Sequence, residues 1–163
     1  MNLTRIAVSA VLALSLAGVA PSAKLAEKKS MTLEVAKQVA AAAEATAAQN
    51  KWTMAIVVLD DGGNLVYLAK MDDTQIASIE VAIQKAKSAV GFKRPTKAFE
   101  DQLTGGRTAV LKIPGAMPVE GGIPLMVDGR LVGAIGVSGG TSAQDGQAAT
   151  SGADSLAKIL GGK

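Results

Sequence analysis

Residues 121–145 constrain the fold most, because they contain two strands, a tight turn and a helix start. Two apolar runs flank Asp128-Gly129, which is a strong signal for a two-residue turn, so the stretch predicts a β-hairpin. Gly133 and Gly136 lie inside the second strand, where glycine usually marks a bulge or a close approach by another backbone or a ligand.

A helix is predicted directly after this hairpin. Ser138-Gly139-Gly140 allows a sharp turn, and Thr141 or Ser142 then begins a helix that runs to about Leu160. Asp145 falls near the N3 position, which is typical of a capping box. The helix contains Gly146 and Gly152, and this predicts close packing on the sheet or on another subunit.

The remaining elements follow from hydrophobic periodicity and from cap and turn residues. They are a helix from the N-cap Thr32 to Asn50, strands at 54–59 and 65–69, a helix from Thr74 or Gln75 to Phe92, a short helix at 97–103 and a strand at 109–113. Hairpins joined by helices predict an α+β protein: a three-layer sandwich with an antiparallel sheet and helices on both faces.

The N-terminus resembles a secretory signal peptide. Arg5 precedes an apolar stretch from Ile6 to Ala20, and cleavage is expected near Ala20 or Ala23. We therefore expect a periplasmic or secreted protein with a signal peptide at 1–23, a polar linker at 24–30 and a single domain at 31–163. The alternative is an uncleaved N-terminal anchor; after cleavage no membrane contact is expected.

Composition excludes several classes of function. The formal charge is +3 and falls to +2 without Arg5, and no Lys/Arg run with interleaved aromatic residues suggests nucleic-acid binding. The chain has no Cys and no His, which excludes disulfides, thiolate nucleophiles, imidazole bases, histidine-ligated haem and zinc sites with the usual ligands. No metal site is predicted.

Five collinear blocks carry a family resemblance: VLDDGGNLVYLAKMDD at 58–73, SIEVAIQKAKSAVGFKRPT at 78–96, PGAMPVEGG at 114–122, GGIPLMVDGRLVGAIGVSG at 121–139 and TSAQD at 141–145. They resemble the GlcG/HbpS family of haem-binding-like proteins, which includes the domain fused to some cobalamin adenosyltransferases. The resemblance implies about five antiparallel strands in a profilin-like or PAS-like arrangement, a homo-oligomer, and a lysine-alanine helix block whose small residues face the sheet while the lysines point away.

The short motif at 93–96 is the most suggestive one outside the hairpin. Pro95 ends one helix, Thr96 can cap the next, and Arg94 is left at the junction with donors suited to a carboxylate. Its partner could be a haem propionate, a glycolate-like acid, or a structural carboxylate on Asp72 or Glu100. Together with the two glycine-rich turns, this gives the following predicted ligand-binding residues: Met71, Asp72, Arg94, Thr96, Gly121, Gly122, Ser138 and Asp145.

Haem is the cofactor that the resemblance implies, and its iron would need an unusual ligand here. Tyr67 is the candidate phenolate ligand; its alternative role is that of a half-buried strand residue. Met71, Met117 or the hydroxyl of Thr96 could also serve, or the iron could lack a protein ligand.

Three functions remain open from the sequence. The first is an exported GlcG-like protein that binds a small anionic ligand, haem or another tetrapyrrole. The second is a small cofactor-free enzyme acting on a small organic acid, although no base is spaced to activate Ser138, which is interpreted as a turn residue, and no G-x-S-x-G elbow is present. The third is an oligomeric accessory or sensor-partner protein without a ligand.

Overall fold

The computed structural model of this chain describes residues 23–161. Within this part of the chain lie four α-helices, four strands and one 3-10 helix. Their bounds are α1 Leu33–Gln49, β1 Ala55–Asp60, β2 Leu65–Lys70, α2 Ala77–Phe92, α3 Lys97–Thr104, the 3-10 helix Thr108–Lys112, β3 Gly122–Val127, β4 Arg130–Ser138 and α4 Ser142–Ile159. None of the helices described is long and apolar enough to cross a membrane.

The four strands form one antiparallel sheet in the order β2-β1-β4-β3. The main core lies on the side of α1 and α4, where Ile56 and Ile135 are fully buried among small residues of the two helices. On the other side α2 covers a second cluster that includes Val57 and Leu59. The predicted α+β sandwich with helices on both faces of an antiparallel sheet is therefore confirmed.

The β3–β4 hairpin forms as predicted. Asp128 and Gly129 have φ values of +51° and +73°, which a type I′ turn requires at both central residues. The strand register shifts between Leu125 and Met126, so Val132 is the extra residue of a bulge beside Gly133.

Glycine at position 136 lets α2 lie close to the sheet. A Cβ atom there would come within 2.7 Å of the Ala86 nitrogen and would also collide with the Ala82 carbonyl oxygen. In α4, Gly152 has the same role, since a Cβ atom would lie 2.5 Å from the Ile135 side chain. The predicted close packing of this helix on the sheet is therefore confirmed.

The predicted fifth strand at 109–113 is instead the 3-10 helix. Its backbone is satisfied locally, because the Val110 N–H donates to the Arg107 carbonyl (3.2 Å) and the Ile113 N–H donates to that of Val110 (3.1 Å). Val110 is its only buried residue, whereas Leu111 is 60% exposed, so the segment has no face that could pack as a strand. Four strands therefore replace the expected five.

Three local predictions also need correction. Gln144, not Asp145, completes the capping box with Thr141 at the start of α4. Ser138 is the last residue of β4, paired with Ala55, rather than a turn residue. Lys85 does not point away from the sheet but is 1% exposed.

The predicted signal peptide at 1–23 lies almost wholly outside the described residues. The polar linker that follows is exposed and is tied to two turns of the sheet. Lys28 forms an ion pair with Asp61 (2.6 Å) in the β1–β2 turn, and Lys29 forms one with Asp128 (3.0 Å) in the β3–β4 turn. Both pairs are exposed on the lysine side, so each contributes little to stability.

Candidate ligand site at the Gly121–Gly122 loop

The Gly121–Gly122 loop is fixed on both sides by backbone hydrogen bonds. The Gly122 N–H donates to the Thr96 hydroxyl (2.9 Å), and the Thr96 N–H donates back to the Gly122 carbonyl (2.9 Å). On the other side the Val137 N–H donates to the Gly121 carbonyl (2.9 Å). Thr96 is fully buried, so its hydroxyl serves this loop and forms no side-chain cap on α3.

Both loop positions require glycine, because β4, α4 and α2 all lie close to the loop. Gly121 has a φ of +125°, and a Cβ atom there would lie 2.6 Å from the Val137 carbonyl oxygen. At Gly122 a Cβ atom would lie 2.7 Å from the Thr96 methyl group and would collide with the Lys85 carbonyl. The sequence signal of a glycine pair before a strand thus reflects close packing of backbone and side chains.

A buried ion pair lies directly behind the loop. Lys85 on α2 contacts Asp145 on α4, with 2.6 Å between Nζ and Oδ2, and the two side chains are 1% and 4% exposed. The ammonium also donates to the Val137 carbonyl (3.1 Å), and Asp145 Oδ1 accepts from the Gly140 N–H (2.9 Å). Burial raises the pKa of the Asp145 carboxyl, and the Lys85 ammonium opposes that shift.

A cavity of about 220 Å³ opens in front of the loop. It is lined by Pro95, Lys97, Glu120, Gly121, Gly122, Ile123, Gly146 and Thr150. Burial raises the pKa of Glu120, and Lys97, whose Nζ lies 4.0 Å from its Oε2, opposes the shift most strongly. The cavity therefore combines one cation, one carboxylate of raised pKa and a backbone wall.

Arg94 directly precedes Pro95, which lines this cavity, but Arg94 is not itself a lining residue. Its guanidinium carbon is 5.6 Å from the centroid of the buried Phe99 ring, which in turn meets Phe92 edge to face at 5.0 Å. Among the described residues its side chain makes a single hydrogen bond, a long one of 3.5 Å from Nε to the Phe92 carbonyl. Within residues 23–161 it forms no salt bridge, so neither Asp72 nor Glu100 is its partner; Glu100 instead accepts from the Glu120 N–H (2.6 Å).

The other predicted residues do not line this cavity. Met71 packs against the core on the α1–α4 side, and Asp72 is exposed in the turn that precedes α2. Ser138 is buried at the end of β4. Tyr67 is half-buried against the α1–α4 core, on the side of the sheet opposite α2 and therefore away from Arg94.

The structure thus brings together Thr96, Gly121, Gly122 and Asp145, whereas the Arg94 side chain lies against Phe92 and Phe99 two residues before Thr96. Lys85 is the partner that was not predicted from the sequence. The sequence could have indicated this, because helical spacing places Lys85 on the same face of α2 as the buried Ala82 and Ala89. A lysine on a buried stripe predicts a buried carboxylate.

A larger cavity of about 510 Å³ lies at the other end of the molecule and contains none of the predicted site residues. Its lining includes Met126, Leu156 and the exposed pair Lys29–Asp128. Among the described residues no group of three or more acidic side chains is arranged to hold a metal ion.

Comparison with known proteins gives the family. Residues 31–154 match the family model described as "Haem degrading protein HbpS-like". The chain is 40% identical over 108 residues to Protein GlcG of Escherichia coli (strain K12), which covers 66% of this chain and 81% of that protein.

Two solved structures agree with this match. A double mutant of Streptomyces reticuli HbpS superimposes with a TM-score of 0.74 at 30% identity, covering 85% of this chain and 98% of that one. The structure described as PduOC:Heme Complex gives a TM-score of 0.69 at 26% identity, covering 77% and 94%. The chain belongs to the HbpS-like family, which also includes GlcG.

Proposed function

We propose that this chain is an exported small-ligand-binding protein, and that its ligand is haem or another tetrapyrrole bound through a carboxylate at Arg94. Membership of the HbpS-like family supports the ligand class, as does the similarity to a structure described as a haem complex. The export part of the proposal rests on the sequence of residues 1–23.

The proposal rests on the surroundings of the Arg94 side chain. Its guanidinium rests on the Phe99 ring and has no carboxylate partner among the described residues. This cation–π contact with a buried ring restrains the guanidinium, and Arg94 is exposed, so its remaining N–H donors are accessible to a ligand. A planar donor group without a carboxylate partner suits a bidentate carboxylate, such as the propionate of a tetrapyrrole.

The size of the cavity limits how such a ligand would bind. At about 220 Å³ it lies below the roughly 300–1,000 Å³ that small-molecule sites usually provide. One edge of a tetrapyrrole would therefore enter near Gly121–Gly122, and the rest of the macrocycle would lie over the surface beside α3. A small organic acid would fit the cavity itself, and a haemin titration distinguishes the two ligands.

The residues present suit the carboxylate end of haem better than its iron. With neither His nor Cys in the chain, an iron ligand must come from a weaker donor. The Thr96 hydroxyl is already bonded to Gly122, and Tyr67 lies on the opposite side of the sheet. Met117 is the candidate on the α2 side, where its N–H donates to Ser88 Oγ of α2 (3.0 Å).

The test is a haemin titration of residues 24–163, which contain every described helix and strand, followed by visible absorption. We expect a saturable shift of the Soret band, and we expect Arg94→Ala to weaken binding about tenfold or more, because a hydrogen bond to a charged group contributes about 1.5–3 kcal/mol. Arg130→Ala is the matched control, since Arg130 is exposed at the far hairpin turn.

Two further variants assign the iron ligand. Met117→Leu should change the ligand-sensitive bands while leaving the affinity nearly intact, and Tyr67→Phe should change neither. A spectrum equal to that of free haemin would refute tetrapyrrole binding. In that case, a small carboxylate that binds the parent but not Arg94→Ala would identify an organic acid as the ligand.

A further inference from the structure

The carboxyl group of Glu120 faces the ligand cavity, and the proposed function does not use it. The Glu120 N–H donates to the Glu100 carboxylate (2.6 Å), and the Glu120 side chain, 23% exposed, lines the cavity in front of the Gly121–Gly122 loop. Among the described residues its carboxyl oxygens accept no hydrogen bond, and the one cation within 4.0 Å is Lys97 Nζ. This half-buried carboxyl group is therefore free to contact a ligand.

Gly146 makes room for this carboxyl group. It lies inside α4, where glycine is less favourable than alanine. A Cβ atom at position 146 would lie 2.5 Å from Cγ and Cδ of Glu120 and would also collide with Oε1. The helix thus contains an unfavourable residue at the position where it meets the glutamate, as a site that must hold the carboxyl group in place requires.

Positive charge lies on two sides of the cavity. Lys97, at the start of α3, lines it directly, and its Nζ also contacts Asp101 (2.7 Å). The Lys85 ammonium, although paired with Asp145, lies just behind the loop, since a Cβ atom at Gly121 would be 3.0 Å from its Nζ. Charges fixed where an anion forms stabilise that anion without reorganisation. The cavity therefore suits a reaction in which negative charge develops on the substrate.

The surroundings of Glu120 also suit a general base. Burial raises the pKa of its carboxyl, and Lys97 opposes that rise most strongly. The nearby carboxylates of Glu100 and Asp101 raise this pKa further, and Lys85 lowers it. A carboxylate of raised pKa takes up a proton more readily than an ordinary one, which proton abstraction from carbon requires.

We propose that Glu120 is the general base for the enolisation of a small 2-oxo acid bound in this cavity. Lys97 binds the adjacent carboxylate and ketone oxygens of the substrate, which one ammonium can contact together. Glu120 takes a proton from C3: the C3–H bond breaks, its electron pair forms the C2=C3 double bond, and the ketone π pair moves onto oxygen as an enolate. The reverse step returns a proton from Glu120 to C3, after exchange of that proton with solvent.

The dimensions of the site agree with this substrate class. A cavity of about 220 Å³ suits a molecule much smaller than a macrocycle. The 4.0 Å between Glu120 Oε2 and Lys97 Nζ is too long for a hydrogen bond, but it lets one O=C–C fragment contact both groups. The activity uses the same cavity as the proposed ligand site and depends neither on a tetrapyrrole nor on Arg94.

The test is exchange of the methyl protons of pyruvate, followed by proton NMR in D₂O with residues 24–163 and without haemin. We expect saturable exchange that is faster than in buffer alone. Glu120→Gln should slow the protein-dependent exchange about 100-fold or more, since a positioned general base contributes roughly 10²–10⁴-fold. Glu34→Gln is the matched control and should keep the parent rate, because Glu34 is exposed in the first turn of α1 and does not line the cavity.

Gly146→Ala covers the case in which Glu120→Gln fails to fold. The added methyl group displaces the flexible Glu120 side chain, so we expect exchange at least tenfold slower with the helical circular dichroism of the parent. Exchange no faster than in buffer would overturn the proposal, as would a folded Glu120→Gln or Gly146→Ala variant with the parent rate. Haemin binding is measured separately with Arg94→Ala, so either proposal can fail while the other stands.

Discussion

At the residue scale, the buried pair of Lys85 and Asp145 is expected to contribute strongly to the stability of the fold. They join helices on opposite faces of the sheet and enclose the Gly121 loop between them. Removing one charge leaves the other buried without a partner, so we expect Lys85→Met to lower the free energy of unfolding by about 3–5 kcal/mol. Urea unfolding at neutral pH measures this loss.

The double variant Lys85→Met with Asp145→Leu is the control for this prediction. Replacing a buried pair by apolar residues of similar volume is often close to neutral, so the double variant should recover most of the loss. Gly140, whose N–H bonds Asp145, is exposed and can bond water instead. A single variant whose stability equals that of the parent would show that the pair does not hold the loop.

At the scale of elements, the distance between α2 and the sheet depends on Gly136. Gly136→Ala places a methyl group against the backbone of α2, which cannot rotate away as a side chain can. We expect a loss of about 1–3 kcal/mol in the free energy of unfolding, since overpacking must shift the helix. Thermal and urea unfolding of the single variant give the value.

Gly91 is the matched control, because it lies in α2 itself and a Cβ atom added there would have no neighbouring atom within 4 Å. There alanine costs no packing and improves helix propensity, so Gly91→Ala should stabilise the protein by up to about 1 kcal/mol. If the two substitutions changed stability in the same direction, close approach of α2 would not explain Gly136.

The elements themselves were largely predictable, whereas their long-range contacts were not. Periodicity, the Thr32 cap and the Asp128-Gly129 turn are local signals, and each predicted element except the strand at 109–113 is present. That apolar run has strand propensity, but local i to i+3 bonds satisfy its backbone first.

The candidate site was predictable only in part, for the same reason. Glycine and threonine positions identified the loop and its support, but Lys85 and Asp145 are 60 residues apart and lie on different helices. No local pattern shows which carboxylate a lysine in an alanine-rich helix will meet. For Arg94 the residue type indicated carboxylate binding, and only the structure showed that neither Asp72 nor Glu100 occupies it.

At the scale of the whole molecule, the pKa values of two carboxyl groups at opposite ends of the sheet are shifted in opposite directions. Hydrogen bonds from Asn64 hold the pKa of Asp60 below its usual value, so its contribution to stability is lost as the pH falls through that lowered pKa. Burial raises the pKa of Glu120, so its contribution is present below about pH 4.5 and is lost as the pH rises through the raised value. Stability should therefore be highest in mild acid.

Glu120→Gln tests this balance, because glutamine keeps the shape and removes the titration. We expect it to raise the free energy of unfolding at pH 7 by less than about 1 kcal/mol, since a full unit of pKa shift corresponds to about 1.4 kcal/mol. Near pH 4, where Glu120 itself is largely protonated, the variant and the parent should agree. Urea unfolding between pH 3 and pH 8 gives both curves. If the two curves stay parallel across this range, the burial of Glu120 does not cause the loss of stability between mild acid and neutral pH. Another titratable group must then cause it.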